Sequence, residues 1–347
     1  MDQLNAALSP MVGLSHAILR SCIRDYLPAE INCLWSSEML SSKRLISEKM
    51  NSKSEVYFSD DDQRQGFSPQ ILGNKKHEVE TAIKKLQDWG AKSIDINMGC
   101  PVRKALQHNY GVSLMGDFDY AARIVQDAAQ ASSLPVSVKL RTGLHEEYSE
   151  EKLLQFLKKL ESAGAQFLII HPRIGKKKRR GSVNMSLVNS VAKQMSIPLW
   201  GNGDIQNLDD FQRLEKKHSS IQGYYIGRAL CARPWLLAQI AKGKNMSLES
   251  ASRSIPGSPH EEALEYAYFI SSFYKKCKEN PVFEPRAFRL TQFLIRQGSV
   301  WMNFGQEFSR KFIATIKENS STDCILEQAR GFISKDAFLQ KETALRL

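Results

Sequence analysis

Short apolar segments alternate with longer amphipathic ones along the chain as far as about Lys244. The apolar segments read as strands at Ala6 to Met11, Ile31 to Ser36, Ser68 to Leu72, Ser93 to Asn97, Val136 to Leu140, Phe167 to His171, Pro198 to Gly201 and Gly223 to Ile226. Between them lie helical stripes. Lys76 to Trp89 places Val79, Ile83 and Leu86 on one face, and Glu150 to Ala163 carries Leu153, Leu154, Phe156, Leu157 and Leu160 in the same way. Both run into small-residue turns, Trp89-Gly90-Ala91 and Ala163-Gly164-Ala165, that launch the next strand. Asp209 and Asp210 fit the first turn of a further helix, where the dipole favours acidic side chains. Eight successive strand–helix units predict a closed (β/α)8 barrel rather than an open sheet.

Beyond Lys244 the periodicity changes. A connector over 245–258, containing Ser and Pro, leads into purely helical spacing with Ala263, Tyr266, Ala267 and Ile270 on one face. The predicted fold class is α/β: a TIM barrel over 1–244, the connector, and a smaller all-helical domain over 259–347. Charges in the helical part are nearly balanced, so binding an anion there would require Lys275, Lys276, Arg286, Arg289 and Arg296 to share a face.

Composition narrows the class. Apolar residues make up 42% of 347, no run of about 18 apolar residues is present, and the first residues lack the basic and apolar regions of a secretion signal. A cytoplasmic monomer is the expectation. The six cysteines are scattered, with no C-x-x-C pair, so neither a disulfide framework nor a metal site is indicated. Formal net charge is +11, which makes a polyanionic partner plausible without identifying it.

In a barrel of this kind chemistry gathers at the C-terminal ends of the strands. Those ends are Pro10 and Met11, Gln70, Asn97 with Cys100, Lys139 and Arg141, His171 and Arg173, Asn202 to Asp204, and Gly227 with Arg228. Gly201-Asn202-Gly203-Asp204 and Ile226-Gly227-Arg228-Ala229 follow the last two strands, where glycine lets backbone N–H groups approach a phosphate. Either loop alone could be a simple turn. Lys139 is a lone cation in an apolar strand and needs an anion or a route to solvent. His171 is equally compatible with a satisfied core histidine. Gly99 and Pro101 fix the backbone around Cys100, whose thiol could be a buried apolar group, a nucleophile or, being protonated at neutral pH, a general acid. After the sixth strand Lys176, Lys177, Lys178, Arg179 and Arg180 form a basic run. It is either a solvated loop or a docking surface for a polyanion.

Taken together, these elements resemble the tRNA-dihydrouridine synthase family. The resemblance rests on Ser9-Pro10-Met11, Gln70 before Gly73, Asp95-Ile96-Asn97-Met98-Gly99-Cys100-Pro101, then Arg103, Lys104 and Gly111. It continues with Lys139-Leu140-Arg141-Thr142-Gly143, His171 with Arg173, Asn202-Gly203-Asp204 and Ile226-Gly227-Arg228-Ala229. It implies that Pro10, Met11, Gln70, Lys139, His171, Asn202, Gly203, Asp204, Gly227 and Arg228 hold FMN. It further implies that NADPH is the reductant, that Asn97 and Arg141 face the uracil, and that Cys100 protonates it. Arg173 and the basic run would meet the tRNA near its D-loop, and the helical domain would grip it. Departures from the family pattern are Pro69 before Gln70, Val112 and Ser113 after the cysteine, Pro172 after the histidine, and the irregular segment Asn51 to Gln65. Two other readings compete: an FMN barrel acting on a free pyrimidine, and a non-catalytic tRNA-binding protein on an enzyme scaffold.

Overall fold

Eight parallel strands close on one another in chain order: β1 (Ala6–Leu8), β2 (Trp35–Ser41), β3 (Phe67–Leu72), β4 (Ile94–Met98), β5 (Val136–Arg141), β6 (Phe167–His171), β7 (Leu199–Asn202) and β8 (Gly223–Ile226). The computed structural model describes residues 3–64, 66–177, 180–299, 302, 305–318, 325–327 and 330–331. Strands of a barrel are covered on both faces, which is why their sequences are nearly all buried whatever their polarity. In β4 the alternation has a clear meaning. Ile94, Ile96 and Met98 belong to the large core that also takes in the surrounding helices, whereas Asp95 and Asn97 bond to the neighbouring strands. A second, small apolar cluster of Ala7, Ile169, Trp200 and Tyr225 joins β1, β6, β7 and β8.

Seven strands fall close to their predicted positions. β1 ends earlier, at Leu8, so that Ser9, Pro10 and Met11 form a loop whose Met11 N–H donates to Ser15 Oγ at 2.8 Å. The second strand is a correction: it runs over Trp35–Ser41 rather than Ile31 to Ser36. Its polar centre hides it from a hydrophobicity pattern. The register moves from Ser36 opposite Ser68 to Met39 opposite Gln70, so β2 carries one extra residue, a β-bulge, at Ser37–Glu38. Pro69 lies opposite that bulge, where a ladder donor is not required, and the next amide, Gln70 N–H, donates to Ser37 Oγ at 3.0 Å.

The irregular segment also acquires a purpose. It contains a turn at Ser54–Val56 and a helix at Asp60–Arg64, and it delivers the Asp62 carboxylate into the protein interior. Asp62 accepts from Arg20 Nε at 2.7 Å and Nη2 at 2.5 Å, from Arg24 Nη1 at 2.7 Å, and from the Ser59 N–H at 3.0 Å. Arg20 stacks on Phe67 and Arg24 on Trp35. Helix Ala17–Arg24 is thereby fastened to β2 and β3.

Helix Pro259–Glu279 starts at a Ser258 cap, Oγ accepting from the Glu261 N–H at 3.2 Å, and is followed by helices Ala287–Gly298 and Gly305–Glu318. Ala263, Tyr266, Ala267 and Ile270 are buried as the spacing predicts. The helical region packs on the barrel through Tyr26 OH donating to Glu265 at 2.6 Å and Lys276 Nζ donating to Asp25 at 2.8 Å. At Gly298 a Cβ would come within 2.5 Å of the Cys231 carbonyl oxygen, an approach that only glycine permits. One continuous core runs from the barrel's helices into this region. Among the described residues no helix is long and apolar enough to cross a membrane.

Candidate active site

The end of β4 is built as a chain of side-chain hydrogen bonds. Gln70 Nε2 donates to Asp95 Oδ2 at 2.6 Å, Asn97 Nδ2 donates to Gln70 Oε1 at 2.7 Å, and Ser137 Oγ donates to Asp95 Oδ1 at 2.8 Å. Asn97 Oδ1 in turn accepts from the Gly99 and Cys100 N–H groups at 3.1 and 2.9 Å. That bond fixes the corner on which Cys100 stands. From the other side Gly111, with φ +60°, backs onto Cys100 so closely that a Cβ would lie 2.6 Å from its carbonyl oxygen. Burial pushes the Cys100 thiol above its ordinary value, opposed by a backbone hydrogen bond from Val102 and by Arg141, so the thiol is held protonated at neutral pH.

Arg141 Nε donates to the Gly99 carbonyl at 2.8 Å, and its Nη1 reaches the Arg173 and Ile174 carbonyls. Lys139 Nζ donates to Asn202 Oδ1 at 2.8 Å, while Asn202 Nδ2 donates to Ser9 Oγ and to the Tyr225 carbonyl. Burial lowers the Lys139 ammonium and raises the Asp95 carboxyl, and the opposite charge of each partly restores the other. Lys139 is half-buried, and its hydrogen-bond acceptor among the described residues is the neutral Asn202 amide, which leaves its open side suited to an anion.

The two glycine loops lie beside it. Gly203 has φ +124°, and a Cβ there would come within 2.7 Å of Val183. Among the described residues, the backbone N–H groups of Gly203 and Gly227 have no acceptor within the chain. These donors, with Lys139 and Arg228, suit the phosphate and the electron-rich ring edge of a flavin nucleotide. Asp204, in left-handed conformation at φ 55°, takes a bidentate contact from Arg173 Nη2 at 2.7 and 2.8 Å and accepts from the Val183 N–H. Arg173 also donates to the Gly181 carbonyl and stands 3.3 Å from His171 Nε2. It is buried, ties the β6 loop to the β7 loop through Asp204, and still borders the cavity.

All of these open on one cavity of about 750 Å3. It is lined by Pro10, Met11, Gln70, Asn97, Cys100, Lys139, Arg141, His171, Arg173, Arg180, Asn202, Gly203, Asp204, Gly227 and Arg228. Lys176 and Lys177 do not line it; Lys177 borders a neighbouring depression of about 400 Å3 with Glu147 and Arg173. Lys178 and Arg179 lie outside the described residues. The cavity also takes in Ser9, Met39 and Tyr225, and, from the helical region, Phe293 and Gln297, none of them among the expected site residues.

A family model described as dihydrouridine synthase (Dus) matches residues 7–321. The chain belongs to the dihydrouridine synthase family. A probable tRNA-dihydrouridine synthase of Rickettsia typhi is 29% identical over 328 residues, covering 94% of each chain. One from Rickettsia bellii is 30% identical over 278 residues, covering 80% of this chain and 82% of that protein. A tRNA-dihydrouridine synthase B of Proteus vulgaris is 32% identical over 234 residues, covering 67% of this chain and 69% of its own.

The β2 bulge adds a residue that the ring of strand ends does not contain. Glu38 is buried, and its Oε2 accepts from the Gly13 N–H at 2.6 Å, fastening the loop after β1 that carries Met11. Burial pushes its carboxyl up to about 7, the Gly13 bond opposing, Glu55 adding to the rise, and Arg20 and Arg286 opposing. A carboxyl raised in the folded state contributes stability that is complete below its ordinary value and lost as pH rises through about 7. Thermal melts should therefore show Glu38→Gln gaining on the parent protein between about pH 5 and 8. A difference between the two that does not vary with pH would contradict this assignment.

Proposed function

We propose that this chain is a tRNA-dihydrouridine synthase that uses FMN and NADPH to reduce the C5=C6 bond of a uridine in the tRNA D-loop. The observation that carries the reading is the cavity itself. Cys100, Lys139 and both glycine loops open on one space. The enzyme is a flavin-dependent oxidoreductase. Lys139, Asn202, Gly203, Gly227, Arg228 and His171 would hold the FMN, with Pro10, Met11 and Gln70 against its ring. When bound, the flavin carries hydride from NADPH to C6 of the uracil.

The rest of the chemistry falls to the protein. Hydride addition at C6 leaves enolate-like charge on the uracil, and Arg141 and Lys139, both on the cavity wall, would stabilise it. Cys100 gives its proton to C5, leaving a thiolate that solvent reprotonates. Asn97 acts mainly through Cys100, since its carbonyl oxygen is already bonded to the Gly99 and Cys100 amides and one amide hydrogen to Gln70.

Formal net charge of +11 and the exposed Lys176, Lys177 and Arg180 beside the site suit a folded polyanion better than a free base. Two measurements test the proposal. Mapping dihydrouridine in RNA from cells with and without the gene should show a D-loop position lost with it, and an unchanged map would overturn the reading. With purified protein, Lys176→Gln, Lys177→Gln and Arg180→Gln combined should weaken tRNA binding and reduce its salt slope by about 1 for each phosphate no longer neutralised.

A further inference from the structure

Among the described residues five large apolar side chains are exposed, and three of them, Val12, Val102 and Phe293, stand on the wall of the same cavity. Val12 follows β1 and Val102 lies just beyond Cys100. Phe293 arrives from helix Ala287–Gly298, 37% exposed, with its ring so close to Gly13 that a Cβ there would lie 3.0 Å from Cε1. An exposed aromatic ring with one edge fixed by backbone and one face at a cavity mouth is a platform rather than a core residue.

The charges around it are unevenly committed. Lys276 is paired with Asp25, Lys275 lies 3.9 Å from Glu279, and Arg286 donates to Ser54 Oγ at 3.0 Å. Three of the five cations of this region are thus already partnered. Arg289 and Arg296 are exposed on the same helix, four residues before and three after Phe293, and have no ion pair among the described residues. That spacing sets both on the helix face that carries the ring. Gln297, one turn beyond Phe293, also lines the cavity and offers an amide able to read a base edge.

We infer that Phe293 stacks against an unpaired nucleobase next to the reacting uridine, with Arg289 and Arg296 holding the flanking phosphates. Aromatic rings between cations are the usual grip on single-stranded nucleic acid, because every base has a face to stack and every linkage a charge. This inference rests on the proposed tRNA substrate and deepens it. It makes the helical region a wall of the cavity mouth that holds the RNA strand at the point where the target leaves its stack.

The test compares Phe293→Ala, Phe293→Leu and Phe293→Trp with the parent, using an unmodified tRNA transcript, NADPH and flavin-loaded protein. Phe293→Ala should raise KM and Kd for tRNA by about 10- to 100-fold, the range expected for one missing stack. Its salt slope, flavin content and melting temperature should stay at parental values. Phe293→Trp should bind like the parent, while Phe293→Leu should resemble Phe293→Ala. Arg289→Gln and Arg296→Gln should each make the slope shallower by about 1. Parental binding by Phe293→Ala or Phe293→Leu would overturn the stacking role, and loss of flavin from Phe293→Ala would place the ring against the cofactor instead. If the parent itself forms no dihydrouridine in tRNA, it is the underlying function that fails.

Discussion

Cys100→Ala should fold, keep its flavin and still oxidise NADPH, yet form dihydrouridine about 10²- to 10⁴-fold more slowly, the range a positioned general acid contributes. The geometry makes this a clean experiment. The corner is held by the Asn97 carbonyl oxygen on the Gly99 and Cys100 amides, by Arg141 on the Gly99 carbonyl and by Gly111 packed against the Cys100 backbone. None of these uses Sγ, so truncation removes the thiol and leaves the backbone in place. The cofactor contacts proposed at Lys139, Gly203 and Gly227 belong to other strands. Because burial raises the thiol, the parent's rate of dihydrouridine formation should stay level through neutral pH and fall only as the thiol ionises in the alkaline range. Single-turnover formation of dihydrouridine, beside flavin absorbance and NADPH consumption, separates the steps. Parental turnover by the alanine variant would remove Cys100 from the chemistry.

Asp62→Ala should cost about 3–5 kcal/mol of folding stability, the penalty for stranding buried charge. Here one carboxylate serves two guanidinium groups, and both arginines are at most 8% exposed. With total stabilities of about 5–15 kcal/mol, such a loss leaves little of the folded population in reserve. Burial alone would raise the Asp62 carboxyl, but Arg20 and Arg24 outweigh it and hold the group well below the usual carboxylate range. Its contribution is therefore present above the ordinary carboxylate value and fades only as pH falls through the lower, folded-state value. Denaturant titrations should find the gap between parent and variant constant from neutral pH to about pH 4 and narrower below. A loss under about 1 kcal/mol would mean that solvent reaches the arginines once the carboxylate is gone.

The chain's periodicity carried the barrel well, because β6 and β8 are runs of apolar residues bounded by turns, and such runs are hard to mistake. β2 was lost to view for a physical reason. Trp35-Ser36-Ser37-Glu38-Met39-Leu40-Ser41 buries its polar groups by pairing them across a bulge, and pairing leaves no mark on hydrophobicity. The site was legible as a ring of strand ends, since topology alone puts those residues at one mouth. Their orientation was not. Asp204 and Arg173 both line the cavity, but the bidentate contact that joins them is visible only in three dimensions. Asn97 divides its bonds between Gln70 and the Cys100 corner in a way that only three-dimensional neighbours reveal. Phe293 could not be found from its helical stripe, because nothing in the sequence says which helix of a separate-looking segment reaches back to the barrel.

The close seat of Gly298 on the Cys231 carbonyl bears on how such enzymes can change their target. Core side chains run without a break from helix Ala17–Arg24 and the short helix Ala229–Ala232 into the helical region, so the two parts do not constitute exchangeable modules. A chimera that imported another relative's helical segment would meet this barrel with mismatched knobs and hollows unless it imported the facing helices as well. On the proposed role of Phe293, new specificity would be reached more readily by substitutions along the exposed stripe of Ala287–Gly298, which leave the graft line untouched.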